Sequence, residues 1–331
     1  MRFPVCNQIG LIAPNEWPPL AGTGQTAHDH KEVVMGLRAN PTQRQRRLGV
    51  ELRRLRDASG LSAAEAGAFA GLGSPHLGHI EAGRTAIPEV KLRALLAAYG
   101  CQNNTLVDAL VAMSESTGKG WWSAHRKSPL DQSARDLAEL ESAAVTHRSF
   151  QWIYIPGLLQ TPDYMRALFE GAEPEASSST IDTYVEFRRQ RQLILTGDAP
   201  PAFHAVIHEA ALHMQFVGAN VMRRQMEHLV KMARLPHVRI QVLPFRAGAY
   251  PARFGAPFVV YEHALPDLST VYVEHPIASP FISDQAHLEQ FTDAIAKLSA
   301  AALPPIDLDI EPEFHIGKGS LGLIQHLLYT L

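Results

Sequence analysis

LGVELRRLRDASGLSAAEAGAFAGLGSPHLGHIEAGRTAIPEVKLRALLAAYG, residues 48–100, decides how this chain is read. Leu48, Leu52 and Leu55 recur at helical spacing, and Gly60 ends the helix they define. Ser62 then stands at an N-cap with Glu65 three residues on, the pairing in which each side chain satisfies an orphan backbone N–H. The second helix carries Ala63, Ala66 and Ala70, small enough for a crossing helix to approach closely. Gly71-Leu72-Gly73 is a turn, after which Ser74 is expected to cap a third helix with Pro75 at its first position. Leu77 and Ile80 face inward and Gly83 ends that helix; Pro88 opens a fourth, whose Val90, Leu92, Leu95 and Leu96 close a small core. Short helices with glycine turns in this order predict an all-α helix-turn-helix head of about five helices, over residues 36–113.

In such a head the third helix, 74–82, enters the major groove by its N-terminal end. Ser74, His76 and His79 can donate or accept at base edges, and Pro75 can touch a thymine methyl. Arg44, Arg46, Arg47 and Arg84 are candidates for phosphate contacts, which fix register without reading sequence. Between Gly36 and Gly100 ten basic residues face five acidic ones, while the whole chain is at −3, so the remainder is acidic. A basic head on an acidic body suits a phosphate-binding module. The alternative is that the arginine-rich first helix is simply a solvated face. Gly78 inside the third helix costs roughly 1 kcal/mol relative to alanine, and that helix has no Arg, Lys or Gln for bidentate base contacts. A homodimer on paired half-sites is therefore expected.

Residues 1–35 are rich in Pro, Gly and His without a sustained period, and read as a disordered leader or a mis-assigned start. SESTGKG (114–120) lies in a linker over 114–132, and 133–331 reads as a larger mixed α+β domain. Helical periodicity marks 133–150, Thr161 caps a helix with Pro162 at its first position, and Ser177 to Leu195 is helical. Asn220 is expected to cap a helix running to Leu235, and Ser283 one that follows it. FQWIYI (150–155), AFHAVIHE (202–209), HVRIQVLPF (237–245), PFVVYEH (257–263) and STVYVEH (269–275) read as strands, and 320–331 as a short helix docking on the body.

The signature GLSAAEAGAFAGLGSPHLGHIEAGR resembles the lambda-repressor-like, Cro-type bacterial regulators of the xenobiotic-response-element (XRE) group. The head departs from that group at Ala63 and Ala64, where a polar phosphate contact is common. PGLLQTPDYMRALF (156–169), EFRRQRQLIL (186–195), HEAALH (208–213), VRIQVLPFRAGAY (238–250) and VYVEH (271–275) resemble, in that order, the poorly characterised C-terminal domain of the WhiJ-like group of actinomycete regulators. The resemblance implies transcription regulation in development or antibiotic production, often beside a gene for a small partner protein; it implies no ligand.

Gln160, Arg188, Arg191, Glu209, Tyr272 and Glu274 are polar residues embedded in apolar blocks. They read either as a ligand pocket or as structural ion pairs of Arg188 and Arg191 with Glu209 or Glu274. Enzyme motifs fail. His208 and His213 are five apart, off the single helix face that zinc-protease histidines share. GKGSLG (317–322) has no room for a following βαβ unit and reads as a flexible turn. Cys6 and Cys101 form no metal or disulfide framework, and no apolar run is long enough to span a membrane. The expectation is a cytoplasmic, non-enzymatic regulator with no metal, cofactor or catalytic residue, which binds double-stranded DNA as a homodimer while its larger domain dimerises and senses an effector or partner. The rivals are an antitoxin-like protein that clamps a small partner and autoregulates, and an enzyme in the larger domain, which convergence of Arg188, Tyr272 and Glu274 in one deep cleft would favour.

Overall fold

The computed structural model describes residues 37–248, 250, 255–275, 279–309 and 319–331. The leader 1–35 and residues 317–318 of GKGSLG fall outside the described residues. The head consists of α1 (Gln43–Ser59), α2 (Ala63–Phe69), α3 (Ser74–Glu81), α4 (Glu89–Ala98) and α5 (Asn104–Glu115). Gly60 closes α1 at φ 75°, and Ser62 and Glu65 form the reciprocal cap of α2. Leu52, Leu77, Leu92, Leu95 and Leu110 are fully enclosed. Val90 is not in this core: it is 80% exposed, because α4 buries the stripe Leu92, Leu95 and Leu96 instead.

The body is built on a six-stranded sheet in the order β3-β2-β1-β4-β5-β6, with β1 (Thr146–Gln151), β2 (Ala202–His208), β3 (Val238–Leu243), β4 (Phe258–Glu262), β5 (Thr270–Val273) and β6 (Phe281–Ile282). β1, β2 and β3 pair parallel, and β1-β4-β5-β6 antiparallel. α11 (Gln285–Ala301) covers one face, where Phe150, Val206, Phe258 and Val260 meet Leu288, Ile295 and Leu298. The other face carries α6 (Gln132–Ala143), α7 (Pro162–Ala172), α8 (Ser178–Gln192), α9 (Ala210–His213), α10 (Ala219–Met232) and α12 (Ser320–Thr330). There Ala205, Ile207, Ile240 and Val242 pack on Tyr164, Met222, Met226 and Leu229, and on Leu321, Ile324 and Leu327 of the terminal helix.

Three boundaries correct the sequence reading. The first strand is not FQWIYI but Thr146–Gln151. As a central strand it turns Phe150 to the α11 core and His147, Ser149 and Gln151 to a polar interior, so hydrophobicity does not mark it. Gly218, at φ 79°, precedes α10 in place of Asn220, which lies in the first turn. Asp284, not Ser283, caps α11, accepting from His287 N.

Head and body pack directly. Leu268, from the turn between β4 and β5, is buried in the core of the head beside Leu265. The expected linker contains a short 3-10 helix, Trp121–Lys127, held on α8 by Trp121 against Phe187 (5.0 Å between ring centroids) and His125 against Gln190 (3.1 Å).

Candidate DNA interface and a buried polar cluster

Local sequence leaves the start of α3 exposed. Its N-cap is Gly73 and no side chain caps it, so Ser74 does not do the capping its position suggests. Ser74, Pro75 and His76 are exposed and His79 is half-buried, while Leu77 and Ile80 anchor the opposite face. Two glycines let α3 sit close to α1. A Cβ on Gly49 would collide with the carbonyl of Glu81, and Gly83, at φ 72°, would bring one within 2.9 Å of the Gln45 carbonyl. Arg56 clamps the far end through Glu81, at 2.7 and 3.2 Å. Arg84 follows, exposed, its carbonyl accepting from Arg38 N at 2.8 Å. Arg38 is a basic neighbour of α3 that sequence reasoning passed over; its Nη1 donates to Gly83 O at 3.3 Å.

The arginines of α1 are placed otherwise than expected, and three of the four phosphate candidates are engaged by partners within the chain. Arg47 is 4% exposed; it pairs with Glu51 at 3.2 Å and donates to the carbonyl of Asp267 in the body. Burial pulls its guanidinium below the ordinary range, against the pull of Glu51. Arg44 pairs with Glu139 of α6 at 2.7 Å and donates to Met113 O. Arg46, more exposed, pairs with Asp136 of α6 at 3.2 Å and donates to Pro41 O. Asp136 also accepts from Gln43 N at 3.0 Å. The arginine run thus fastens the head to the body, and only Arg84 of the four stays with the α3 surface.

In the body, five of the six predicted pocket residues gather in one polar cluster. Arg191 forms a two-pronged ion pair with Glu141, at 2.7 and 2.8 Å, and Tyr261 Oη donates to the same carboxylate at 3.3 Å. Burial works against the Arg191 charge, but Glu141 outweighs it and holds the guanidinium above its ordinary range. Arg188 donates to Gln160 Oε1 at 2.6 Å, and Gln160 in turn donates to Ile155 O at 2.7 Å. Gln151 donates to Glu274 at 2.9 Å. Burial raises the Glu274 carboxyl above its usual range, eased by Gln151 and by Arg188. Tyr272 stacks near Phe281, 5.1 Å between centroids, within electrostatic reach of Glu274 and Arg191. Glu209 is not part of this group: it accepts from Phe245 N at 2.7 Å at another edge of the sheet. Among the described residues no ion pair joins Arg188 or Arg191 to Glu209 or Glu274: Glu141, unremarked in the sequence, takes Arg191, and Arg188 is held by Gln160. Its signal was a glutamate on the buried stripe of α6, four residues after Leu137. Gln151 and Tyr261 gave none, being ordinary strand residues. Among the described residues no group of His, Cys, Asp and Glu is arranged to hold a metal ion.

A family model described as a helix-turn-helix domain matches residues 47–110. One described as a domain of unknown function, DUF5753, matches residues 134–307, just over half the chain. The chain belongs to the DUF5753 family. No curated protein and no solved structure gives a match to it. The DUF5753 match begins in α6 and takes in the whole sheet and the polar cluster, whereas α12 lies beyond it. The helix-turn-helix match supports a DNA-binding regulator, and no described helix is long and apolar enough to cross a membrane.

Proposed function

We propose that this chain is a sequence-specific transcriptional regulator of the lambda-repressor-like XRE group, of the WhiJ-like kind found in actinomycetes, acting in the cytoplasm as a homodimer. The observation that carries this is the surface of α3: Ser74, Pro75 and His76 are exposed at its start, and Arg84 is exposed just past its other end. His76 and His79 offer ring nitrogens for base edges, and Arg84 a charge for phosphate. The DUF5753 body is assigned dimerisation and effector sensing. It is read as non-catalytic, since Arg191 is already neutralised by Glu141 and the cleft that Arg188 lines is not lined by Tyr272 or Glu274.

The antitoxin-like alternative is favoured by one observation. Trp152, Tyr154, Phe216, Phe245 and Tyr250 are each at least 40% exposed, and large exposed aromatics suit a protein partner. Selection of bound fragments from random DNA by the full chain tests the main reading. A palindromic motif with half-sites about one helical turn apart is expected; failure to enrich any motif defeats it. The full chain is required because Leu268 and the Asp267 carbonyl complete the head.

A further inference from the structure

We propose that the cleft between α6, α7 and α8 is an effector site for a small aromatic monocarboxylate, and that its occupancy is read by the helix-turn-helix head through α6. The proposal deepens the reading of the chain as a DNA-binding regulator and rests on it. The cleft has a volume of about 280 Å³. Phe169, Tyr184 and Phe187 form its aromatic walls, Leu130 and Ala134 close the α6 side, and Arg188 lines it from α8.

Arg188 is the unusual group. Its guanidinium lies 4.5 Å from the centroid of the Phe169 ring, and its sole hydrogen bond among the described residues is the one from Nη1 to Gln160. No carboxylate of the described residues stands within ion-pair distance of it, whereas the neighbouring Arg191 is fully engaged by Glu141. Burial, and then Arg191, push the Arg188 guanidinium down to about 10, against the pull of Glu274. A half-buried cation with spare planar donors is completed by a carboxylate, which such a fork binds in two-pronged fashion. Flat apolar walls around it call for a ring on that carboxylate. Asp131 and Glu173 also line the cleft. Asp131 caps α6 through Ala134 N, and Glu173 accepts from Tyr184 Oη. Their charges disfavour a dianion such as phosphate more than a monoanion.

The same helix reaches the head. Asp131 and Ala134, at its start, line the cleft; Asp136 and Glu139, one turn further, hold Gln43, Arg44 and Arg46 of α1; Glu141 holds Arg191. A ligand that displaces α6 displaces the anchor of the head.

Calorimetric titration of the full chain with phenylacetate and 2-naphthoate tests the site, with phenylacetamide as the neutral analogue and inorganic phosphate as the dianion. Trp121, packed on Phe187, supplies a fluorescence readout. At least one acid is expected to bind saturably, with the amide, phosphate and the Arg188→Gln variant each weaker by about tenfold or more. Ala134→Phe fills the cleft while leaving the Arg188–Gln160 bond in place, and is expected to lose binding as well. No binding of either acid by the folded chain, equal binding of the amide, or binding retained in both variants overturns the site. Saturating acid is then expected to change the affinity of the wild-type chain for its selected DNA by about fivefold or more, and that of Ala134→Phe not at all. An acid that binds without moving DNA affinity overturns the coupling. A chain that binds an acid but no DNA overturns the regulator reading instead.

Discussion

α1 and α3 lie against each other in the same head, yet they treat their polar residues in opposite ways. α1 carries arginines and engages three of them within the chain: Arg44 and Arg46 on Glu139 and Asp136 of α6, Arg47 on Glu51 and the Asp267 carbonyl. α3 carries no arginine or lysine, and leaves Ser74, Pro75 and His76 in solvent. Positive charge in a DNA-binding head therefore need not mark the DNA-facing side. A guanidinium near a carboxylate of the same chain is fixed by that neighbour before any phosphate arrives, and freeing a buried one leaves its partner unpaired.

The largest test of this contrast is Arg47→Ala. Removing one member of a buried ion pair costs about 3–5 kcal/mol, and since Arg54 still reaches Glu51 the lower end, about 3 kcal/mol, is expected in chemical denaturation. DNA affinity per folded molecule should stay the same; a selective loss of DNA binding with unchanged stability would return Arg47 to the interface. Gly49→Ala comes next. It forces a methyl group against the Glu81 backbone and should destabilise by about 1–3 kcal/mol, with a matching fall in the thermal midpoint. His79→Ala should leave stability nearly untouched while weakening the cognate site by about 1–3 kcal/mol and random DNA hardly at all; equal losses on both sequences would remove His79 from base readout. Arg84→Ala should weaken all DNA alike and lower the salt slope by about one.

The smallest effect concerns pH. Burial holds His147, His204, His208, His228 and His263 below the ordinary 6.5. As pH falls through that value the unfolded chain takes up protons that the folded chain refuses, so stability that is complete above it is lost progressively on the acid side. A denaturation midpoint lower at about pH 5.5 than at about pH 7.5 is expected; equal midpoints would mean that these rings are not desolvated.

How much of this was legible in the sequence differs sharply between head and body. Leu52, Leu77 and Ile80, the reciprocal cap of Ser62 and Glu65, and the stop at Gly60 are all local. Periodicity and caps act over a few residues, so the sequence determined the order of the head's helices, though not that Gly73 precedes α3 in place of Ser74 or that Val90 faces solvent. Gly49 was passed over because its role depends on where Glu81 comes to lie, 32 positions away in sequence but touching in space.

In the body, gathering Gln160, Arg188, Arg191, Tyr272 and Glu274 as candidates needed only their polarity amid apolar blocks. Their pairing needed the fold. Glu141 reaches Arg191 because α6 and α8 cover the same face of the sheet, and Glu209, on a strand end elsewhere, cannot. The parallel order of β1, β2 and β3, the burial of polar β1 and the entry of Leu268 into the head's core were likewise decided by tertiary structure alone. By itself the sequence determined the helix-turn-helix and a mixed α+β body, since short-range propensity and burial period are written in neighbouring residues. Which arginine meets which carboxylate was decided only when distant segments were brought within reach, since an ion pair depends on distance in space and carries no sequence period.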